Sequence, residues 1–312
     1  MPAACRLRRG LERGGAHVKS SRKTASLGII FVVLAALIWG LAGGIGGMLI
    51  DDGWDPFVVS FCRGAIGLLV VLAWLALRSE NSGLSSSRLW LWSSVAGLGV
   101  AGNFSFYFLS IANGSVSVAA TLMYCAPVFV FLVSFALKLE RPDLFKWCAM
   151  ATVILGIVLL TGVYEGGAGG VTAIGAIAGL LSGLCYAVFI FGFKFAAPHG
   201  SPQAILSIAL SVLAVVLVWP AEAGQVLEIL KTPAWPWFLA LGVFGAGVSF
   251  ILYIVGLNHT APAVASIVAM VEPVTASLFG VTVLGEHLAP LQLLGMTIVL
   301  VTVTALSVRS GK

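Results

Sequence analysis

Long apolar runs separated by short polar segments occupy most of this chain between residues 27 and 308. Most of these runs approach the ~20 residues that an α-helix needs to cross the apolar core of a bilayer. They are too long and too uniform for barrel strands, so the backbone must satisfy its hydrogen bonds within helices. The pattern predicts ten transmembrane helices, at residues 27–49, 56–77, 90–111, 115–137, 143–163, 172–193, 203–219, 236–257, 262–284 and 288–308.

The composition favours a membrane protein over a soluble domain. Of the 312 residues, 60% are hydrophobic, 9% are charged and 37 are glycine. One soluble core could not bury so much apolar surface, whereas a helix bundle can expose it to lipid. We therefore expect an all-α, multi-pass integral membrane protein whose constant partner is membrane lipid.

Two segments, residues 115–160 and 261–306, are versions of one sequence offset by 146 positions. At this offset Pro127 matches Pro273. Each half of the chain then holds five predicted spans, and an odd number means that the second half inserts in the opposite orientation. The predicted fold is two inverted five-helix repeats, an arrangement found in many secondary transporters.

The repeat also divides the chain. The predicted segments are a basic tail at 1–25 that we expect to be disordered, a first repeat at 26–163, an outer linker at 164–171, a second repeat at 172–308 and a C-terminus at 309–312.

The basic residues orient the predicted bundle. With ten spans both termini lie on one side, and that side holds every lysine and arginine except Lys231 and Arg63. The positive-inside rule assigns this side to the cytoplasm, so we expect both termini there and the linker outside. The net charge of +5 follows from this topology. A nucleic-acid partner is not indicated, because the basic residues are spread over short loops and a tail.

The sequence carries no pattern for a metal, a cofactor or direct use of ATP. The five cysteines and four histidines are scattered, without the CxxC or HExxH spacing of metal sites. A GxxxxGK[ST] phosphate-binding loop is also missing. An enzyme would require a convergent set of nucleophile, base or metal ligands, and Glu272 is the single carboxylate predicted to be buried within the bundle.

Two prolines interrupt predicted spans near their middle. Pro127 and Pro273 occupy equivalent positions in the two repeats, and each removes an intrahelical hydrogen bond. Matched interruptions in inverted halves point to a binding or gating site near the middle of the membrane. A kink that serves only helix packing is the alternative.

Two ionisable residues, Arg63 and Glu272, lie within predicted spans, and their repeat mates Ala209 and Ala126 are uncharged. An intramembrane charge costs at least ~2.5–3.5 kcal/mol on insertion scales, so each should face a cavity or a partner. Their predicted depths differ by roughly 7 Å at 1.5 Å per residue, which an arginine can span. We expect either a structural ion pair or a proton or substrate site.

Aromatic and polar side chains at mid-depth predict a cavity for a small amphipathic solute or an organic cation, through stacking, cation–π contacts and hydrogen bonds. The indole N–H of Trp39 in particular needs a partner or a wet cavity. For Tyr107 and Tyr253, a place in the interfacial aromatic belt is the alternative. The predicted substrate-binding residues are Trp39, Asn103, Tyr107, Tyr124, Tyr186, Ser249, Tyr253 and Ser266.

These features resemble the EamA-type members of the drug/metabolite transporter superfamily. The motifs that carry the resemblance are Phe61-Cys62-Arg63, Pro127, Glu272-Pro273, and Leu284-Gly285-Glu286 followed by Gln292 and Gly295. The first repeat departs from the pattern at Lys138-Leu139-Glu140, where the glycine is missing. The resemblance implies an inner-membrane carrier, often an exporter of amino acids, related metabolites or toxic compounds, that works by alternating access.

The sequence therefore predicts an exporter of a small metabolite, such as an amino acid or a related amphipathic compound, acting by alternating access around a midplane cavity between the repeats. One alternative is a multidrug or organic-cation efflux carrier. A membrane-embedded enzyme acting on a lipid substrate is the alternative from another class. Proton coupling through Glu272 and facilitated diffusion are both compatible with the sequence, and no pattern in it indicates an oligomeric state.

Overall fold

The computed structural model describes residues 3–78, 82–136, 143–161, 171–257, 269 and 271–310, and all regular secondary structure within these residues is helical. A π-helix, Val243–Val248, joins the helices Trp235–Gly242 and Ser249–Leu257. The helices are α1 (Ala3–Asp51), α2 (Pro56–Leu77), α3 (Ser87–Ala112), α4 (Val116–Met123), α5 (Ala126–Ala136), α6 (Leu144–Thr161), α7 (Ala173–Ala196), α8 (Pro202–Leu217), α9 (Ala223–Glu228), α10 (Trp235–Gly242), α11 (Ser249–Leu257), α12 (Val271–Thr282) and α13 (Pro290–Ser310).

The predicted class, an all-α multi-pass membrane protein, is confirmed. Within the described residues, the helical stretches long and apolar enough to cross a bilayer are Leu27–Asp51, Pro56–Leu77, Ser87–Ala112, Ala173–His199 and Trp235–Gly256. Shorter apolar helices cover Trp147–Leu160, Pro202–Leu217 and Pro290–Thr302. Each of these stretches coincides with a predicted span.

The first helix differs from the prediction. α1 begins at Ala3, so the basic tail that we expected to be disordered is helical from that residue onward. The tail is rich in alanine, leucine, arginine and lysine, which favour helices, and no proline interrupts residues 3–55. Most of the predicted linker, residues 164–170, lies outside the described residues, as does Ser266.

Short polar side chains set where the helices begin. Asp55 accepts hydrogen bonds from the backbone N–H groups of Phe57 and Val58, and proline opens the helix that follows. Serine or threonine side chains cap the starts of four further helices, at Ser86, Ser115, Thr172 and Ser201. These side chains satisfy N–H groups that a helix start leaves without partners.

α2 and α8, the second helices of the two repeats, lie side by side and run in opposite directions. At one end, the N–H of Asp55 before α2 donates to Oε1 of Gln225 downstream of α8, at 2.8 Å. At the other end, Nε2 of Gln203 near the start of α8 donates to the carbonyl of Arg78 after α2, also at 2.8 Å. The beginning of each helix therefore lies beside the end of the other.

Helices of the two halves exchange packing partners. α1 packs against α11 and α12 of the second half, and its repeat mate α7 packs against α3, α4 and α5 of the first. The last helices of the halves, α6 and α13, pack against each other. Small residues allow the close approach: Gly40 of α1 lies against Thr275, and Gly192 of α7 lies against Ala96.

Candidate functional site

The fourth predicted span is interrupted where its proline predicted. α4 ends at Met123, Tyr124 and Cys125 form a turn, and α5 begins at Ala126. Pro127, which has no N–H to donate, follows directly. On the equivalent span of the second half, α12 begins at Val271 and places a buried Pro273 in its first turn. The turn after α4 and the first turn of α12 meet, because Oη of Tyr124 lies 2.7 Å from Oε2 of Glu272.

A small cavity lies between the two halves. It has room for roughly one or two water molecules. Helices α1 to α4 of the first half and α7, α11 and α12 of the second contribute to its wall. The lining residues are Trp39, Arg63, Asn103, Phe104, Tyr107, Met123, Tyr186, Phe189, Phe250 and Glu272.

The structure brings most of the predicted site residues together. Tyr124 reaches the cavity wall through Glu272, and Tyr253 contacts the Trp39 ring, with ring centroids 4.9 Å apart. Ser249 is buried but is not among the lining residues. The predicted residues that line the cavity directly are Trp39, Arg63, Asn103, Tyr107, Tyr186 and Glu272.

Phe104, Met123, Phe189 and Phe250 also line the cavity and were not predicted. The sequence could have indicated two of them. Phe104 and Phe250 occupy equivalent repeat positions, and each directly follows a predicted site residue, Asn103 or Ser249. Phe189 and Met123 carried no such signal, since apolar residues are the rule in these spans.

Arg63 is held by a backbone carbonyl and by an aromatic ring. Its Nε and Nη2 donate to the carbonyl oxygen of Gly245 at 3.2 and 2.9 Å. Its guanidinium carbon lies 3.9 Å from the centroid of the Phe104 ring, a cation–π contact. Gly245 belongs to the π-helix Val243–Val248, and π-helical turns are often found at functional sites.

Glu272 is bonded to a tyrosine. The Oη of Tyr124 lies 2.7 Å from Oε2 of Glu272 and 2.7 Å from the carbonyl oxygen of Ala269. A direct ion pair between Arg63 and Glu272, one of the two alternatives that the sequence left open, does not form, although both residues line the cavity. The predicted depths of Arg63 and Glu272 in the membrane could not decide this. Each side chain has its own partner, the Gly245 carbonyl for Arg63 and the Tyr124 hydroxyl for Glu272.

Trp39 brings an unsatisfied donor to the cavity. The residue is 5% exposed, and its Nε1 has no hydrogen-bond partner among the described residues. Its ring contacts Phe250 edge-on, with centroids 5.3 Å apart, and Tyr253 at a tilt. A buried N–H without a partner is costly, which makes this group a candidate for a ligand contact.

Asn103 mainly joins two helices. Its Nδ2 donates to the carbonyl and to the hydroxyl oxygen of Ser182 on α7, at 3.1 and 3.0 Å. The Ser182 hydroxyl donates back to the backbone carbonyl of Asn103 at 3.0 Å.

Tyr107, one turn beyond Asn103 on α3, is 3% exposed inside the bundle. That burial does not fit the alternative of an interfacial belt residue.

The Leu284-Gly285-Glu286 motif caps a helix of the other half. Gly285 has a φ of +68°, a conformation that favours glycine. The turn directs Glu286 to the start of α4, where its carboxylate accepts from the N–H of Val116 at 2.6 Å. It also accepts from the N–H and hydroxyl of Ser117, at 3.2 and 2.6 Å. A carboxylate at a helix N-terminus is stabilising.

Comparisons with known proteins identify the family. The model of the EamA-like transporter family matches residues 26–162 and again residues 173–308. A protein of Archaeoglobus fulgidus named an uncharacterized transporter is 30% identical over 274 residues, covering 86% of this chain and 92% of that protein. A protein of Escherichia coli named the uncharacterized inner membrane transporter YedA is 26% identical over 270 residues, covering 81% of both chains.

The threonine/homoserine exporter RhtA of Escherichia coli is 25% identical over 281 residues, covering 86% of this chain and 88% of its own. A crystal structure with 20% sequence identity covers 91% of this chain and 99% of that one, with a TM-score of 0.57, so the two share a fold. The relatives are named transporters, which disfavours the alternative of a lipid-modifying enzyme. With one family match on each half, the chain belongs to the EamA-like transporter family and is a membrane transporter.

Proposed function

We propose that this transporter carries small amphipathic metabolites through the cavity between its two halves, by alternating access. The observation that carries the proposal is that both halves wall one small cavity holding aromatic rings, an arginine and a glutamate. Buried ionisable residues within membrane spans mark solute or ion pathways in general. The cavity has space for only roughly one or two water molecules, so a metabolite enters after the halves move apart.

We further propose ten spans in two inverted five-helix repeats, with both termini in the cytoplasm. The opposite directions of α2 and α8 support the inversion, because these helices are repeat mates. The exchanged packing of α1 and α7 supports a pseudo-twofold relation between the halves. The distribution of lysine and arginine supports the orientation.

An amino acid or a related metabolite is the substrate class that we favour, with export as the direction. The cavity combines a cation, Arg63, with a carboxyl group, Glu272, and aromatic rings. Such a lining suits a solute that carries both hydrogen-bonding polar groups and an apolar part. The relative RhtA is named a threonine/homoserine exporter, which supports both the class and the direction.

Efflux of organic cations is a second candidate. The rings of Trp39, Tyr186, Phe189 and Phe250 favour it, because aromatic faces attract cations. Arg63 opposes it, since a fixed positive charge on the same cavity repels a cation.

Counterflow in proteoliposomes tests the proposal. The purified protein should give saturable uptake of a labelled amino acid that rises when the same solute is preloaded inside. Trp39→Ala should weaken this flux, whereas Trp219→Ala, which alters a tryptophan 84% exposed at the surface, should not. Nucleobases and organic cations complete the panel of solutes. Flux that never saturates with any solute, and never responds to preloading, would refute a carrier.

A further inference from the structure

The hydroxyl of Tyr124 makes two short contacts but has one hydrogen. Its Oη lies 2.7 Å from the carbonyl oxygen of Ala269 and 2.7 Å from Oε2 of Glu272. A carbonyl oxygen can only accept, so the phenol hydrogen is needed there if that contact is a hydrogen bond. The contact with Glu272 then requires a hydrogen from the carboxyl group itself.

The alternative assignments leave one contact without a hydrogen. If Tyr124 donated to an ionised Glu272, its oxygen would face the carbonyl of Ala269 at 2.7 Å, lone pair against lone pair. One hydrogen shared between two acceptors at that distance would point well at neither. A protonated Glu272 satisfies both contacts: it donates to Tyr124, and Tyr124 donates to Ala269.

A neutral Glu272 changes the charge of the cavity. Arg63 then remains the charged residue among those that line it, and its Nη1 has no hydrogen-bond partner among the described residues. The Nε1 of Trp39, in the same wall, is also without a partner within the described part of the chain. A positive charge beside two N–H donors can bind a carboxylate through charge-assisted hydrogen bonds.

We propose that the cavity binds a carboxylate-bearing solute together with one proton, with the carboxylate on Arg63 and Trp39 and the proton on Glu272. This inference rests on the proposed transport function and specifies its substrate class. Carboxylate binding and protonation of Glu272 support each other, because an ionised Glu272 would compete for Arg63. Linkage is reciprocal, so the solute must also raise the affinity of the site for the proton.

A pH dependence of solute binding identifies the protonation of Glu272 only if the groups around it do not titrate in the same range. Those groups are phenols and one guanidinium, which keep one charge state over roughly pH 6 to 8, so among them Glu272 alone can respond there. The charged and titratable groups that face it are Arg63 on α2, Tyr107 on α3, Tyr124 between α4 and α5, Tyr186 on α7 and Tyr253 on α11.

Infrared spectroscopy locates the proton without any solute. The difference spectrum of wild type minus Glu272→Gln at neutral pH should contain the carbonyl stretch of a protonated carboxylic acid, which shifts in heavy water. Tyr124→Phe should move that band, because the carboxyl loses its partner. Glu222→Gln, which alters an exposed carboxylate, should leave it unchanged. A carboxylate band in place of the acid band would overturn the assignment of the proton.

Counterflow with matched solutes tests the carboxylate. L-threonine should exchange, and L-threoninamide, which lacks the carboxylate, should compete at least 10-fold less well. Trp39→Phe removes one N–H donor and keeps an aromatic ring, so it should weaken threonine binding roughly 10- to 100-fold. Wild-type affinity for threonine should fall as pH rises through neutrality, and Glu272→Gln should abolish this dependence.

The results separate this inference from the proposed function. Saturable exchange in which the amide competes as well as threonine, or in which proton release accompanies threonine binding, overturns the inference and leaves the carrier intact. Absence of saturable flux for every solute overturns the carrier and, with it, the bound carboxylate. The infrared experiment still decides where the proton lies in that case.

Discussion

The hydrogen bonds of Glu286 to the start of α4 join the two halves, and their loss should lower the free energy of unfolding. Glu286→Ala removes the acceptor for two backbone N–H groups and one hydroxyl, at 2.6, 3.2 and 2.6 Å. Val116 and Ser117 are buried, so water cannot fully replace the carboxylate. Hydrogen bonds to a charged group contribute about 1.5–3 kcal/mol, and helix caps about 1 kcal/mol. Because Glu286 is only half-buried, we expect a net loss of about 2–4 kcal/mol.

Thermal unfolding of the purified protein, followed by tryptophan fluorescence, measures this loss. The unfolding midpoint of Glu286→Ala should fall by roughly 4–8 °C. Glu286→Gln keeps one acceptor oxygen and loses the charge, so it should lie between the alanine variant and wild type. Glu222→Ala serves as the matched control, since this glutamate precedes α9 without a side-chain cap. If Glu286→Ala has the same unfolding midpoint as wild type, the contact between the halves does not stabilise the protein.

Three further changes test the topology and the packing. A cysteine placed in 165–170 should react with an impermeant reagent outside intact cells, and one at Ser86 should not; the reverse labelling would refute the inverted arrangement. Asn103→Ala and Ser182→Ala should each cost about 1–3 kcal/mol, and the double variant should cost little more, because they share the same hydrogen bonds; additive losses in thermal unfolding would contradict this. Gly183→Ala should lower the yield of monodisperse protein on size-exclusion chromatography, because its new Cβ would lie 2.9 Å from a carbonyl oxygen at the end of α4; a wild-type yield would show that α4 can move.

The hydrophobic pattern was sufficient for much of the fold, because a span needs a fixed length of apolar helix. The helix break after Met123 was also predictable, since Pro127 cannot donate a hydrogen bond. The partners of the buried polar groups were not. Arg63 is hydrogen-bonded to a carbonyl 182 residues away in the sequence, and Tyr124 is hydrogen-bonded to Glu272, 148 residues away. Contacts at such separations depend on how helices rotate and pack, which hydropathy does not encode.

The asymmetry between the halves explains why the arginine stands in α2 and not in α8. The repeat mate of Arg63 is Ala209, a buried residue whose carbonyl oxygen would lie 2.5 Å from a Cβ added at Gly97 of α3. α3 and α8 approach too closely there to admit a long side chain. On the other side, the span that corresponds to α3 contains the π-helix Val243–Val248, whose Gly245 carbonyl accepts both bonds from Arg63. The π-helix supplies the acceptor that α3, α-helical at the matching Gly99, does not offer. One half therefore contributes a buried positive side chain to the cavity, the other half contributes its acceptor, and neither contribution is repeated at the matching positions.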